Sequence, residues 1–284
     1  MPYGFITFIE NKGYSEETVK SYDRVVAQFF SYIKKTYPMG KEPFQISASD
    51  IQNYLEEQLE KDKTISTVNK ELAILKTMFN YFWESEQVPL PIDPTVKIKR
   101  FVTKEHPVLD VTYEQLTGLL KNVLSDPSYP VVRKAIYILA LKGLKTSDFR
   151  FKKSDVFESG NCDNIRIAIK NREITLDSET SSYFQEYFNE ALFNGSEYVF
   201  VTKPRGEEIG IPIQVMSILN HLRIISRDYL PEGTPLLTLV AIRRSLAYHL
   251  YTNGHSVQMI AKELGIEEST VSNSLKHLLE GKAM

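Results

Sequence analysis

The stretch LLTLVAIRRSLAYHLYTNGHSVQMIAKELGIEESTVSNSLKHLL, Leu236–Leu279, decides how the chain is read. It forms several helices in series, with an Arg243-Arg244 pair near one end and a helix pair split by Gly265 near the other. Val257, Ile260, Ala261 and Leu264 recur at helical spacing and make one apolar face. Gly265 supplies a turn, and Glu267–Thr270 open a second helix that carries Ser269, Thr270, Ser272, Asn273 and Lys276 outward. A helix-turn-helix of this kind places short polar residues and a lysine in a major groove. The same residues also suit a helix that is simply solvated, and the pattern leaves both readings open.

Composition sets the outer bounds. The chain has 284 residues, enough for two domains or one large one. A net charge of −2 does not announce a nucleic-acid binder, although a basic patch can sit on one face of a neutral protein. Cys162, the only cysteine, has no partner for an internal disulfide and suits a reducing cytosol. The N-terminal residues lack the basic and apolar regions of a signal peptide. No apolar run reaches the roughly 20 residues of a membrane span. A cytoplasmic protein with no cofactor, no metal and no membrane partner is expected.

The first half reads as a helical bundle. Phe5, Phe8 and Ile9 make one apolar face. Ser15 caps a helix whose first turn holds Glu16 and Glu17 and whose stripe is Tyr22, Val26, Phe29, Phe30 and Ile33. Pro38 and Gly40 end it. Ser47-Ala48-Ser49-Asp50 opens a third helix with Ile51, Tyr54, Leu55 and Leu59 inward. A fourth runs from about Ser66-Thr67 to Trp83, with Val68, Leu72, Leu75, Phe79 and Phe82 inward, and the segment from Pro89 to Pro94 stops it. Residues 1–104 hold 14 cations and 14 anions, so the cluster Lys97, Lys99, Arg100 and Lys104 stands out locally. It fits an interdomain linker that crosses a phosphate backbone or one that is only well solvated.

The second half begins at Thr112-Tyr113-Glu114-Gln115 and continues into the strongly apolar helix VVRKAIYILALKGL. NIRIAIK and REITL alternate with period two and read as a hairpin with Lys170-Asn171-Arg172 at its tip. A helix from Ser178, a short strand YVFV before Lys203-Pro204-Arg205-Gly206, and a helix from Ile213 to Tyr229 follow. The total is ten to twelve helices and one minor sheet.

In this order the segments resemble the tyrosine recombinase, or phage integrase, family. FITFIENKGYSEETVKSYDRVVAQFFSYI, ISASDIQNYLEE and STVNKELAILKTMFNYFWES resemble the four helices of its core-binding domain. ALKGLKTSDFRFKKSDV resembles the segment Gly-Leu-Arg-x-Ser-Glu, VAIRRSLAYHLYTNG resembles His-x-x-Arg-His-Thr-x-Ala, and LGIEESTVSNSLKH resembles Leu-Gly-His followed nine residues later by the nucleophilic tyrosine. The resemblance implies a mainly α, two-domain clamp around duplex DNA: an N-terminal helical core-binding domain at 1–95, a basic linker at 96–108 and a mostly helical C-terminal domain at 109–284 with a small β-hairpin sheet.

Residue by residue, the resemblance implies altered chemistry. The family's first arginine position holds Lys145, followed by Asp148 in place of glutamate. Its histidine positions hold Val240 and Ile266, its tyrosine position holds Leu275, and its second arginine is retained as Arg243. Lys170 falls near the lysine of the family's hairpin. Tyr248 and Tyr251 share a helix with Arg243 and read as core or surface aromatics instead of substitute nucleophiles. Lys145 can still hold a phosphate as a point charge, and Arg243 keeps its bidentate fork unless Asp148 claims it as an ion pair. From these substitutions the chain is expected not to be an enzyme. It is expected to bind double-stranded DNA in a sequence-specific way as a transcriptional regulator, a repressor of a prophage or mobile element, alone as a homodimer or with another regulator protein. A divergent site-specific recombinase or an accessory recombination factor is the alternative. Expected DNA contacts are Lys145, Lys170, Arg172, Arg243 and Arg244; Lys20, Arg24, Ser66, Thr67, Asn69, Lys70 and Lys76 in the first domain; Lys97, Lys99 and Arg100 in the linker; and Ser272, Asn273 and Lys276 in the last helix.

Overall fold

A computed structural model describes residues 2–85, 92–102, 109–158, 164–170, 172–203 and 210–282. Cys162, Asn171, Lys104, Pro89 and the turn at Pro204-Arg205-Gly206 lie outside the described residues. The chain divides into two compact units, Met1–Glu105 and His106–Met284.

The first unit is helical. Its elements are α1 (Phe5–Asn11), α2 (Glu16–Thr36), α3 (Ala48–Glu60) and α4 (Ile65–Glu84). The start signals in the sequence are made physically. Ser15 Oγ accepts the Thr18 N–H at 3.3 Å, and Thr64 Oγ1 accepts the Thr67 N–H at 3.2 Å. Such caps satisfy donors that the first helical turn leaves unpaired. The fourth helix therefore begins one residue before the Ser66 expected from the sequence. Phe29, Tyr54, Phe79 and Phe82 close the core with edge-to-face ring contacts, and Leu75 is fully buried with them.

Asp50 is the polar anchor of this unit. It is 3% exposed, and it accepts bonds from the Ser47 N–H (2.8 Å), Ser47 Oγ (2.8 Å), Lys41 Nζ (2.8 Å) and the Tyr37 hydroxyl. Burial pushes its carboxyl upward, but these bonds outweigh it and hold the pKa down at about 2. A depressed folded-state value means that the stabilisation is complete above the ordinary aspartate range near 4 and is lost as pH falls towards 2. Asp50→Asn is expected to cost about 2 kcal/mol at neutral pH and to flatten the loss of stability between about pH 4 and 2. Urea melts across that pH range check it.

Residues of the expected linker are fastened to α4. The Asn69 side-chain amide donates to Phe101 O at 2.8 Å and accepts the Phe101 N–H at 2.9 Å. Lys76 Nζ donates to Ile98 O at 2.9 Å, and Ile98 is buried against the helical core.

The second unit contains α5 (Tyr113–Gly118), α6 (Leu120–Ser125), α7 (Val131–Leu141), β1 (Val156–Glu158), β2 (Ile165–Ile169), β3 (Arg172–Thr175), α8 (Ser178–Leu192), β4 (Val201–Thr202), β5 (Ile211–Pro212), α9 (Val215–Tyr229), α10 (Leu239–Thr252), α11 (Val257–Leu264) and α12 (Glu268–Lys282). Helix α7 is its hub, with every residue from Lys134 to Leu141 buried. Ile165, Ile167 and Ile169 of β2 face the same core, as strand alternation requires. The mainly helical two-unit fold is as read from the sequence, with two additions to the expected hairpin. β1 joins it, giving an antiparallel sheet in the order β1-β2-β3, and β4 pairs with β5 in a separate ribbon. That pairing keeps Ile211–Pro212 extended and delays the next helix from the expected Ile213 to Val215. Among the described residues no helix is long and apolar enough to cross a membrane, and no cluster of His, Cys, Asp and Glu is placed to hold a metal.

Helices α10, α11 and α12 form their own apolar cluster through Leu246, Ala247, Ile260, Ala261, Leu264, Val271 and Leu275. Helix α11 ends at Gly265, whose left-handed backbone (φ 60) lets the Ile266 N–H reach back to Ala261 O at 3.0 Å. The turn between α11 and α12 follows from that closure.

Candidate functional site

Thr238 opens α10 by accepting the Ala241 N–H at 3.1 Å. The helix then turns Ile242 and Leu246 into apolar cores while Val240, Arg243 and Arg244 border a cavity of about 320 Å³. Lys145, from the loop after α7, and Ile266, from the turn after α11, border the same cavity. Four positions from three separate segments, 145, 240 with 243, and 266, thus converge in one place. Position 275 does not join them. Leu275 is 3% exposed and packs into the cluster of α10, α11 and α12, while Thr270 and Ser274 present the face of α12 that lines the cavity.

Arg243 is anchored on one side only. Its Nη2 donates to Leu264 O at 3.0 Å, at the C-terminal end of α11, where unpaired carbonyls favour a cation. Its Nη1 is buried without a hydrogen-bond partner among the described residues. An unpaired buried donor costs on the order of 1–3 kcal/mol, so a ligand that accepts from it regains that penalty. Burial lowers the pKa of the Arg243 guanidinium from its ordinary value, nearby Arg172 lowers it further, and Asp148 pulls the other way. The ion pair of Asp148 with Arg243, one of the two outcomes open in the sequence, is not formed. Asp148 pairs with Arg172 instead, at 3.3 Å, with both side chains nearly fully buried.

Arg172 stands at the start of β3 and spans three segments of the chain. Its Nη2 donates to Gly143 O at 3.0 Å and its Nη1 to Glu263 O. Asp148 also accepts the Lys145 N–H at 3.2 Å, which sets the loop that carries Lys145. Gly143 and Gly265 leave room for this arrangement. A Cβ at Gly265 would stand 3.2 Å from Arg172 Cδ, and one at Gly143 would stand 2.8 Å from Leu264 Cδ2. Lys170 is exposed at the hairpin turn with φ 48, and it does not line the cavity.

Several other residues expected to touch DNA have their polar atoms engaged by the chain itself. Lys20 pairs with Glu16 at 2.5 Å on the surface of α2, and Thr67 shares a 2.8 Å hydrogen bond with the capping Thr64. Asn69 and Lys76 serve the 98–101 segment. Lys70, Arg100 and Ser66 border a separate cavity of about 430 Å³ in the first unit. Lys97 and Lys99 belong to the same segment as Arg100, and Ser272, Asn273 and Lys276 lie on α12. The pairing of Arg172 with Asp148 and the cavity-facing position of Ser274 were missed in the sequence. The first joins residues 24 apart and carries no local signal. The second was available: Val271, Leu275 and Leu278 form an i, i+4, i+7 stripe that turns Leu275 inward and leaves Ser274 beside it on another face.

Comparison with known proteins places this geometry. Residues 3–88 match the phage integrase N-terminal SAM-like domain. A putative tyrosine recombinase of Caldanaerobacter subterraneus subsp. tengcongensis is 26% identical over 98% of this chain and 93% of its own length. The tyrosine recombinase XerD of Oceanobacillus iheyensis is 22% identical over 95% of this chain and 91% of its own. Among solved structures, the Tn1549 transposon integrase in complex with a circular intermediate DNA superposes with TM-score 0.69 at 16% identity, covering 96% of this chain and 93% of that one. A lambda integrase dimer bound to a core site gives TM-score 0.67 at 13% identity, covering 95% and 92%. One expectation is corrected by these relatives. Lys145, Val240, Ile266 and Leu275 led to the reading that the chain is not an enzyme, yet relatives aligned along nearly its whole length are named for an enzymatic activity. Substitutions at these four positions do not by themselves establish inactivity. From its N-terminal domain to the turn after α11, the chain is similar to tyrosine recombinases, and its first domain matches the SAM-like domain of phage integrases.

Proposed function

We propose that this protein binds double-stranded DNA and acts in site-specific DNA recombination, with Arg243 and Lys145 gripping a backbone phosphate in the second unit. The observation that carries the reading is Arg243, which borders a cavity together with Lys145 and Arg244 and whose Nη1 has no hydrogen-bond partner among the described residues. A guanidinium with one arm anchored and the other unpaired suits a phosphate oxygen, and preorganised cations also stabilise charge that develops during phosphoryl transfer. Lys70, Lys97, Lys99 and Arg100 give the first unit a cationic surface for sequence-independent backbone contacts. Relatives solved with DNA support the partner class.

The test has two stages. Genomic fragments retained by the purified protein identify its site, and two copies of that site on a supercoiled plasmid are then incubated with the protein. Inversion or excision between the copies supports recombination. Specific, salt-sensitive binding with no rearrangement on any site pair counts against it.

Control of transcription at the bound site, as by a prophage repressor, is the second reading. It is favoured by the short polar residues Ser272 and Asn273 on α12 and by the inward turn of Leu275. Bound sites clustered at promoters, with altered expression of the adjacent genes on deletion, would support it.

A further inference from the structure

The arginine on the hairpin has no place in the phosphate grip itself, because its donors are already committed to Asp148, Gly143 and Glu263. Its position nevertheless bears on Arg243, because both arginines end on the last turn of α11. Asp148 is a nearly fully buried carboxylate, and its partner Arg172 ends on Glu263 O, one residue before the Leu264 O that anchors Arg243. Two cations, Arg172 and Arg243, therefore stand near one buried anion, and only Arg172 is paired with it. Both guanidiniums also end on the last carbonyls of α11, Arg172 on Glu263 and Arg243 on Leu264.

We propose that Arg172 is a positioning residue that occupies Asp148 and so keeps one arm of Arg243 unpaired and available to a DNA phosphate. The inference rests on the DNA-binding reading above. Its logic is competition. A buried carboxylate stripped of one cation takes the next within reach, because an unpaired buried charge is costly. Without Arg172, Asp148 draws on Arg243, and the free arm is spent inside the protein. The glycines at 143 and 265 belong to the same device, since a side chain at Gly265 would press on Arg172 Cδ at 3.2 Å.

The experiment compares duplex binding by the wild type, Arg172→Met, Arg172→Lys, Asp148→Asn and the double variant Arg172→Met/Asp148→Asn. Fluorescence anisotropy is read across a salt series on the fragment that the full chain selects. Arg172→Met is expected to weaken binding roughly tenfold, about one charge-assisted bond to phosphate, and to reduce the salt slope by about 0.9. Removing Asp148 as well is expected to restore both the affinity and the slope, because the competitor for Arg243 is gone. Arg172→Lys is expected to stay near wild type, since an ammonium still pairs with Asp148 although it cannot reach all the carbonyls.

A residue acting only as a structural staple would behave differently. The double variant would be no better than Arg172→Met, and the lysine variant would lose as much as the methionine one. Either result overturns the proposal, as does unaltered binding by Arg172→Met. If Arg172→Met fails to fold, the lysine variant and the double variant still decide. A wild type that binds no duplex at low salt would instead sink the DNA-binding reading, so the two failures are distinguishable.

Discussion

Replacing Arg243 by alanine is expected to weaken duplex binding by roughly 10- to 100-fold, the range of one or two charge-assisted hydrogen bonds to a phosphate. The magnitude of the salt slope should fall by about 0.9 for each phosphate that the variant no longer neutralises. The fold should tolerate the change, because one arm of Arg243 bonds to Leu264 O and the other has no partner among the described residues. Arg243→Lys should recover part of the affinity. A lysine restores the charge but cannot both anchor on Leu264 O and present a second, coplanar donor. Anisotropy titrations at several salt concentrations, with melting curves on the same samples, separate the binding effect from any loss of fold.

Leu275 carries the second large effect, on stability. It is 3% exposed and packs with Leu246, Ile260, Leu264 and Val271 where α10, α11 and α12 meet. Leu275→Ala should cost about 3 kcal/mol, from reduced burial and the cavity left behind. The consequence for the site is indirect but strong, since Leu264 both packs in this cluster and supplies the carbonyl that anchors Arg243. Leu275→Tyr should also destabilise, by about 1–3 kcal/mol, because a ring and hydroxyl are forced into a filled apolar space. A tyrosine at 275 therefore does not reach the cavity unless α12 rotates. Chemical denaturation of both variants measures the cost.

Much of this architecture is legible in the sequence because it is written locally. Ser15, Ser47 and Thr112 mark helix starts by side chains that bond three residues ahead, and each does so in the structure. The apolar stripes of α2, α3 and α4 recur every three or four residues, so their inward faces follow from period alone. The candidate site was only partly legible. The resemblance to recombinase motifs pointed to Lys145, Val240, Arg243 and Ile266, and the fold brings these four to one cavity. The partner of Asp148 was not legible, since Arg172 arrives from a hairpin whose docking depends on Gly143 and on the end of α11. Strand β1 escaped notice for a similar reason: three residues, Val156–Glu158, gain their pairing from β2 and show no alternation of their own. Asn69 and Lys76 looked like outward polar residues on a helix, and so they are, but the surface they meet is the chain's own 98–101 segment.

The central claim is that Arg243 grips a backbone phosphate, and a neutral-phosphate scan tests it most directly. Each phosphate of the selected duplex is replaced in turn by a methylphosphonate, and binding is measured for the wild type and for Arg243→Ala. One phosphate should emerge whose neutralisation weakens the wild type by roughly tenfold or more and leaves Arg243→Ala unchanged, the signature of a direct interaction between the two. Equal penalties in both proteins at every position would contradict the account.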